Sequence, residues 1–197
     1  MTEQEFCSRI WNYYLMLESD FIGTLSYVEL ADENNSTYSN EYVKLLLAIC
    51  SEIDVVCKVF CSMVDPTCGA DNITIYRKTL MKMIPDIKKT KTVCIRSQDF
   101  YTPFESWGED RSPDWWVAYN SVKHGGLMKE GYKKGNQKNV YNSLCGLFLL
   151  CRFLYLRIAA YEPDPASRLL LVDGWPQYLR IGGKMVIRTT ETGFMIM

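Results

Sequence analysis

Residues 137–161 read QKNVYNSLCGLFLLCRFLYLRIAAY. Helical spacing places Val140, Leu144, Leu147, Phe148, Leu150, Cys151 and Leu154 nearly all round the axis, and a helix with no wide polar face is one surrounded by protein. The stretch therefore predicts the central member of a helical bundle. Its strongly apolar part, residues 140–151, is followed by Arg152 and Arg157 and falls short of the roughly twenty residues that cross a bilayer. No membrane span is expected.

Working outward, the remaining segments supply helices to surround it. Thr2 and Glu5 have the spacing of a capping box ahead of a first helix over residues 3–19, with Phe6, Ile10, Tyr13, Tyr14 and Leu17 on its apolar side. LSYVEL, residues 25–30, reads as a short extended piece. Ser39 is placed to cap a long helix ending near Val64, whose apolar row is Leu46, Ile49, Ile53, Val56, Phe60 and Met63. Asp71 is the expected cap of a third helix over residues 72–84, stopped by Pro85. A lysine-rich link leads to an expected strand, VCIR, and to a loop containing Pro103 and Gly108. Ser112 and Pro113 begin a short fourth helix that Gly125 and Gly126 end. Beyond Pro163 and Pro165 come LLLV, YLRI, MVIR and FMIM, with Gly182 and Gly183 suiting a tight hairpin between YLRI and KMVIR. The fold class expected is mainly α: a bundle of about five helices over residues 1–161, with a small β appendage over residues 162–197.

Composition narrows the class further. Hydrophobic residues make up 48% and charged residues 23%, which predicts a packed domain rather than a disordered chain. The formal charge of −1 argues against a protein that coats nucleic acid through its overall field. Between Arg77 and Lys138, however, 13 basic side chains face 7 acidic ones, a local surplus able to attract phosphates. The 8 cysteines lie mostly in apolar helical segments without a C-x-x-C pair, as reduced core thiols do. With a polar MTEQE start and no basic, apolar leader, the expected location is cytoplasmic. No metal or cofactor is expected.

The chemistry concentrates in residues 112–126, SPDWWVAYNSVKHGG, which hold the sole histidine of the chain, His124. An imidazole takes or gives a proton near neutral pH, and Asn120, one helical turn earlier, offers an amide to orient a phosphate or a ribose. Trp116, Asn120 and His124 fall near one helical row with Lys123 beside it. Asp54 and Lys58 form a second candidate group, spaced i,i+4 with Glu52 nearby. They are either an exposed intrahelical ion pair or supports for the active pair, Asp54 orienting His124 and Lys58 meeting a phosphate. His124 has a plainer alternative as well, as a cation satisfying the carbonyls at a helix end. No recognition helix or basic helix face marks a DNA-binding regulator.

The N-x-x-x-H sequence within YNSVKH, set in a helical chain, resembles the HEPN superfamily, whose helical bundles occur in bacterial toxin, phage-defence and stress systems and include metal-independent ribonucleases. The WW, YN and KH block followed by a long apolar helix also resembles an uncharacterised bacterial group, over residues 1–161. The resemblance assigns His124 to proton transfer and Asn120 to the polar position of the motif. It places Tyr119 in the slot where the family has arginine. Lys123 is one replacement for that cation; Arg96, Arg111, Arg152 and Arg157 are others. As substrate-binding residues it implies Lys123, Tyr119, Trp116, Lys58 and Asp54. RNA or a nucleotide is the implied partner, and a homodimer pairing two motif helices is the implied assembly. The alternative is a noncatalytic dimerisation or nucleotide- or RNA-binding module with a degenerate motif.

Overall fold

The structure is a computed structural model describing residues 1–67, 69–94, 99–125, 130–159, 179–181, 187–190 and 193–196. It is mainly helical, with five principal helices. Helix α1 covers residues 3–24, α2 Asn40–Val64, α3 Ile73–Met83, α4 Asp114–Gly125 and α5 Gln137–Ala159. Helix α5 is the centre, packed against α1, α2 and α4, and Val140, Leu144, Leu147, Leu150, Cys151 and Leu154 along it have no exposed surface. As a whole helix, α5 is long and apolar enough by length and composition to cross a membrane, because the helix continues well past the short run read from sequence; 67% of its most apolar stretch is buried inside the bundle.

The caps explain where the helices start. Thr2 and Glu5 form the reciprocal box: the Thr2 N–H donates to Glu5 Oε2 at 2.9 Å, and the Glu5 N–H donates to Thr2 Oγ1 at 3.1 Å. The Ser39 hydroxyl accepts from the Tyr42 N–H at 3.0 Å and starts α2. At α3 the cap is Asn72 rather than Asp71; its amide oxygen accepts from the N–H groups of Thr74 and Ile75, both at 3.1 Å. Asp71 instead accepts from the Asn72 side chain at 2.8 Å, which leaves the carboxylate on the surface.

Helix α1 departs from simple periodicity in its first turns. Cys7–Trp11 is a π segment, and the extra residue in that turn rotates the following side chains, so that Trp11 is buried and Tyr13 exposed. Tyr13 therefore leaves the apolar face on which 3.6-residue spacing had placed it. The helix also runs to Thr24, past the expected end.

LSYVEL is turn and bend rather than an extended strand. Its backbone is bound instead by the buried side chain of Gln137, whose amide donates to the carbonyls of Val28 at 3.3 Å and Glu29 at 3.0 Å. Tyr27 is left projecting into solvent.

The VCIR segment does contribute a strand, β1 (Thr92–Cys94), which pairs antiparallel with β2 (Phe100–Tyr101). The other edge of β1 takes β3 (Leu179–Ile181), with Val93 opposite Arg180. Strands β4 (Ile187–Thr190) and β5 (Gly193–Ile196) pair with each other. Among the described strands, then, the one from YLRI joins β1 rather than its neighbour in sequence, because β1 offers an edge of unpaired backbone groups. The expected turn at Gly182 and Gly183 lies outside the described residues, as does Gly126.

Candidate ligand-binding cleft

Helix α4 is seated by aromatic packing at its start. The loop before it turns through a 3-10 segment, Glu105–Glu109, that buries Phe104 and Trp107. The Trp115 indole N–H donates to the Pro103 carbonyl at 2.9 Å, and its ring meets Phe104 edge-on. Gly146 of α5 admits that ring: a Cβ there would lie 3.2 Å from Trp115 Cζ2. These contacts fix the rotation of α4 about its own axis, and with it the side chains that face α2.

The face so presented meets α2 and the start of α3 in an open, polar cleft of about 440 Å³. Ser51, Asp54 and Lys58 of α2 form its floor. Asp71, Asn72 and Ile73 make one wall, and Trp116, Tyr119, Asn120 and Lys123 make the other. Six of the seven residues singled out in the sequence are thereby gathered from two helices into one concavity.

His124 is the exception. An α-helix turns about 100° per residue, so each four-residue step drifts by about 40°. Relative to Trp116, Lys123 lies at about −20°, Asn120 at about 40° and His124 at about 80°, toward exposed Val117 at about 100°. The imidazole is exposed at the end of α4, on the flank of the helix, and is not part of the cleft lining.

Asp54 does not reach His124 either. Its Oδ2 accepts from Lys58 Nζ at 2.6 Å and its Oδ1 accepts from the buried Tyr76 hydroxyl, also at 2.6 Å. The hydrogen bond to Asp54 holds the Lys58 ammonium above its ordinary pKa, and the charges of Asp54 and then Asp71 add to it. Burial, followed by the bond to Asp54, raises the Tyr76 phenol. The pair is thus more than a solvated surface contact, since a phenol from α3 anchors its carboxylate. Glu52 is not part of the cleft lining; it is 9% exposed, and burial raises its pKa.

On the opposite wall, Lys123 Nζ donates to the Tyr119 hydroxyl at 3.2 Å and lies 5.3 Å from the centre of that ring. Tyr119 thus positions a cation close to the place where the motif would have its own. Trp116 packs against Trp115 and Tyr119 and is only 7% exposed, so it contributes an edge to the wall and no open face for a stacked base. Among the described residues, none of the arginines named as replacements lines the cleft. Arg111 pairs with Glu109 at 2.7 Å, Arg152 lies in a small crevice between α1 and α5 with Phe6, Cys7 and Trp11, and Arg157 is absent from the cleft lining. Arg96 is outside the described residues.

Ser51, Asp71, Asn72 and Tyr76 were not singled out as site residues. Asp71 carried a visible signal, but it was that of a helix cap, and Tyr76 reaches Asp54 across 22 positions of sequence. Comparison with protein-family models, with curated proteins and with solved structures finds no match.

Proposed function

We propose that the chain is a noncatalytic binding module, HEPN-like in its motif, that holds a phosphate-bearing ligand of the nucleotide or RNA class in the cleft between α2, α3 and α4. The observation that carries this reading is the convergence of Lys58, Lys123 and Asn120 on one concavity that His124 does not enter. Two ammonium groups and a carboxamide supply charge-assisted and neutral donors for phosphate oxygens. Proton transfer requires a base within hydrogen-bond reach of the reacting group, and the imidazole sits on the flank of the helix instead. The test is equilibrium binding of radiolabelled nucleotides and a short RNA to the full chain and to Lys58→Gln/Lys123→Gln. Binding lost in the double variant, with no RNA cleavage by the wild type, supports the module. A protein that binds no phosphorylated probe removes it.

A metal-independent ribonuclease is the second reading, favoured by the exposure of His124 on the turn that carries Lys123. In that arrangement two copies pair through α4 and bring their imidazoles to a shared groove. Incubation of a mixed RNA pool with EDTA separates the readings: cleavage by the wild type and not by His124→Ala, from a protein that sediments as a dimer, establishes the enzyme.

A further inference from the structure

The charges of the cleft lining cancel. Lys58 and Lys123 stand against Asp54 and Asp71, and the first cation and first carboxylate are already joined at 2.6 Å. What remains is an ammonium on the α4 wall and a carboxylate on the α3 wall, neither of which takes part in an ion pair among the described residues. Lys123 donates one proton to Tyr119 and has two further donors; Asp71 accepts from Asn72 through Oδ1 and has a second oxygen. Asn120 stands beside the cation and Ser51 lies between the walls on the floor.

Such a site offers a charge of each sign on two different elements, Lys123 on α4 and Asp71 just before α3. A strand of RNA running through it would place successive phosphates against Asp71 and Asp54, at a Coulombic cost, and would find only two lysines to neutralise it. A small molecule with one phosphate and, at its other end, amine or hydroxyl donors meets both charges favourably. The volume of about 440 Å³ falls in the range of roughly 300–1,000 Å³ that small-molecule sites occupy.

Resting on the proposed phosphate-binding reading, we infer that the cleft takes a phosphomonoester of mononucleotide size, with its phosphate on Lys123 and Asn120 and its hydroxyl or amine donors on Asp71, rather than a polynucleotide. Asp71 is then a specificity residue: it admits the small ligand and repels the strand.

The experiment is calorimetric titration of the full chain with adenosine monophosphate, inorganic phosphate, adenosine and a single-stranded RNA decamer. It is repeated with Lys123→Gln and Asp71→Asn, both at exposed positions, after circular dichroism shows unchanged melting. The expected result is that the monophosphate binds more tightly than either of its halves or the decamer. Lys123→Gln weakens it about tenfold, the scale of one charge-assisted contact. Asp71→Asn weakens the monophosphate while leaving inorganic phosphate unchanged or tighter. A decamer that binds more tightly than the monophosphate, or a monophosphate indifferent to Asp71→Asn, overturns the inference and leaves the phosphate-binding module standing. Absence of binding by every phosphorylated probe overturns both.

Discussion

Replacing Tyr76 with phenylalanine removes one oxygen from the bundle and tests the anchoring of Asp54 directly. The ring is fully buried and Phe keeps its packing, so the loss is confined to the hydroxyl and its 2.6 Å bond to a carboxylate. Hydrogen bonds to charged groups contribute about 1.5–3 kcal/mol. Because Asp54 retains Lys58 and its side chain is 28% exposed, water can reach the orphaned oxygen, and the lower end, about 1.5–2 kcal/mol, is expected. For a chain of this size that lowers the melting temperature by about 3–8 °C. Lys58→Met is the contrast. With the lysine side chain 50% exposed, its bond is screened and the loss is about 0.5 kcal/mol or less. Urea unfolding of wild type, both single variants and the double variant yields the coupling between the two partners of Asp54. Were Tyr76→Phe to match wild type within about 0.5 kcal/mol while Lys58→Met cost more, the phenol would not be the anchor, and the account of the cleft floor would be wrong.

Three further outcomes follow from the packing. Gly135→Ala should destabilise by about 1–3 kcal/mol in urea melts, because a Cβ at Gly135 would lie 2.8 Å from Val43 Cα and 2.9 Å from Val43 N, backbone atoms of α2 that cannot move aside; a neutral result means the connector shifts freely. Burial raises the pKa of Glu52, so its contribution to stability is complete below the ordinary carboxylate range and falls as pH rises through the shifted value. Glu52→Gln should therefore melt higher than wild type at pH 7, with the difference vanishing in acid; a lower melting temperature at pH 7 would reveal a stabilising partner for the carboxylate. Burial pushes the Cys145 thiol up to about 12 and raises those of Cys50, Cys57 and Cys151 well above their usual value, whereas Cys7 is half-buried. Peptide mapping after iodoacetamide at pH 8 should find Cys7 modified in the native protein and Cys50, Cys57, Cys145 and Cys151 modified only in urea. Native labelling of Cys145 would contradict the central place of α5.

Local chemistry was enough to read much of this molecule from its sequence. The all-round apolar run of α5, the apolar row of α2 and the caps Thr2 and Ser39 depend on residues within a few positions of one another, so spacing alone determined the central helix, its long neighbour and the starting points of α1 and α2. The same locality brought Asp54 with Lys58, and Asn120 with His124, into view as pairs, with Lys123 beside the second. Where a longer-range contact competes, spacing is silent. The π segment turned Tyr13 outward, Gln137 bound LSYVEL from 108 residues away, and the edge of β1 claimed a strand whose sequence suggested a hairpin. The site divides in the same way. That an imidazole lies one turn after a carboxamide follows from the sequence. That Asn120 faces the cleft and His124 its flank was decided by the seating of Trp115 on Pro103 and Phe104, because a drift of about 40° between them becomes a functional difference only when the helix is locked in one rotation against its neighbours.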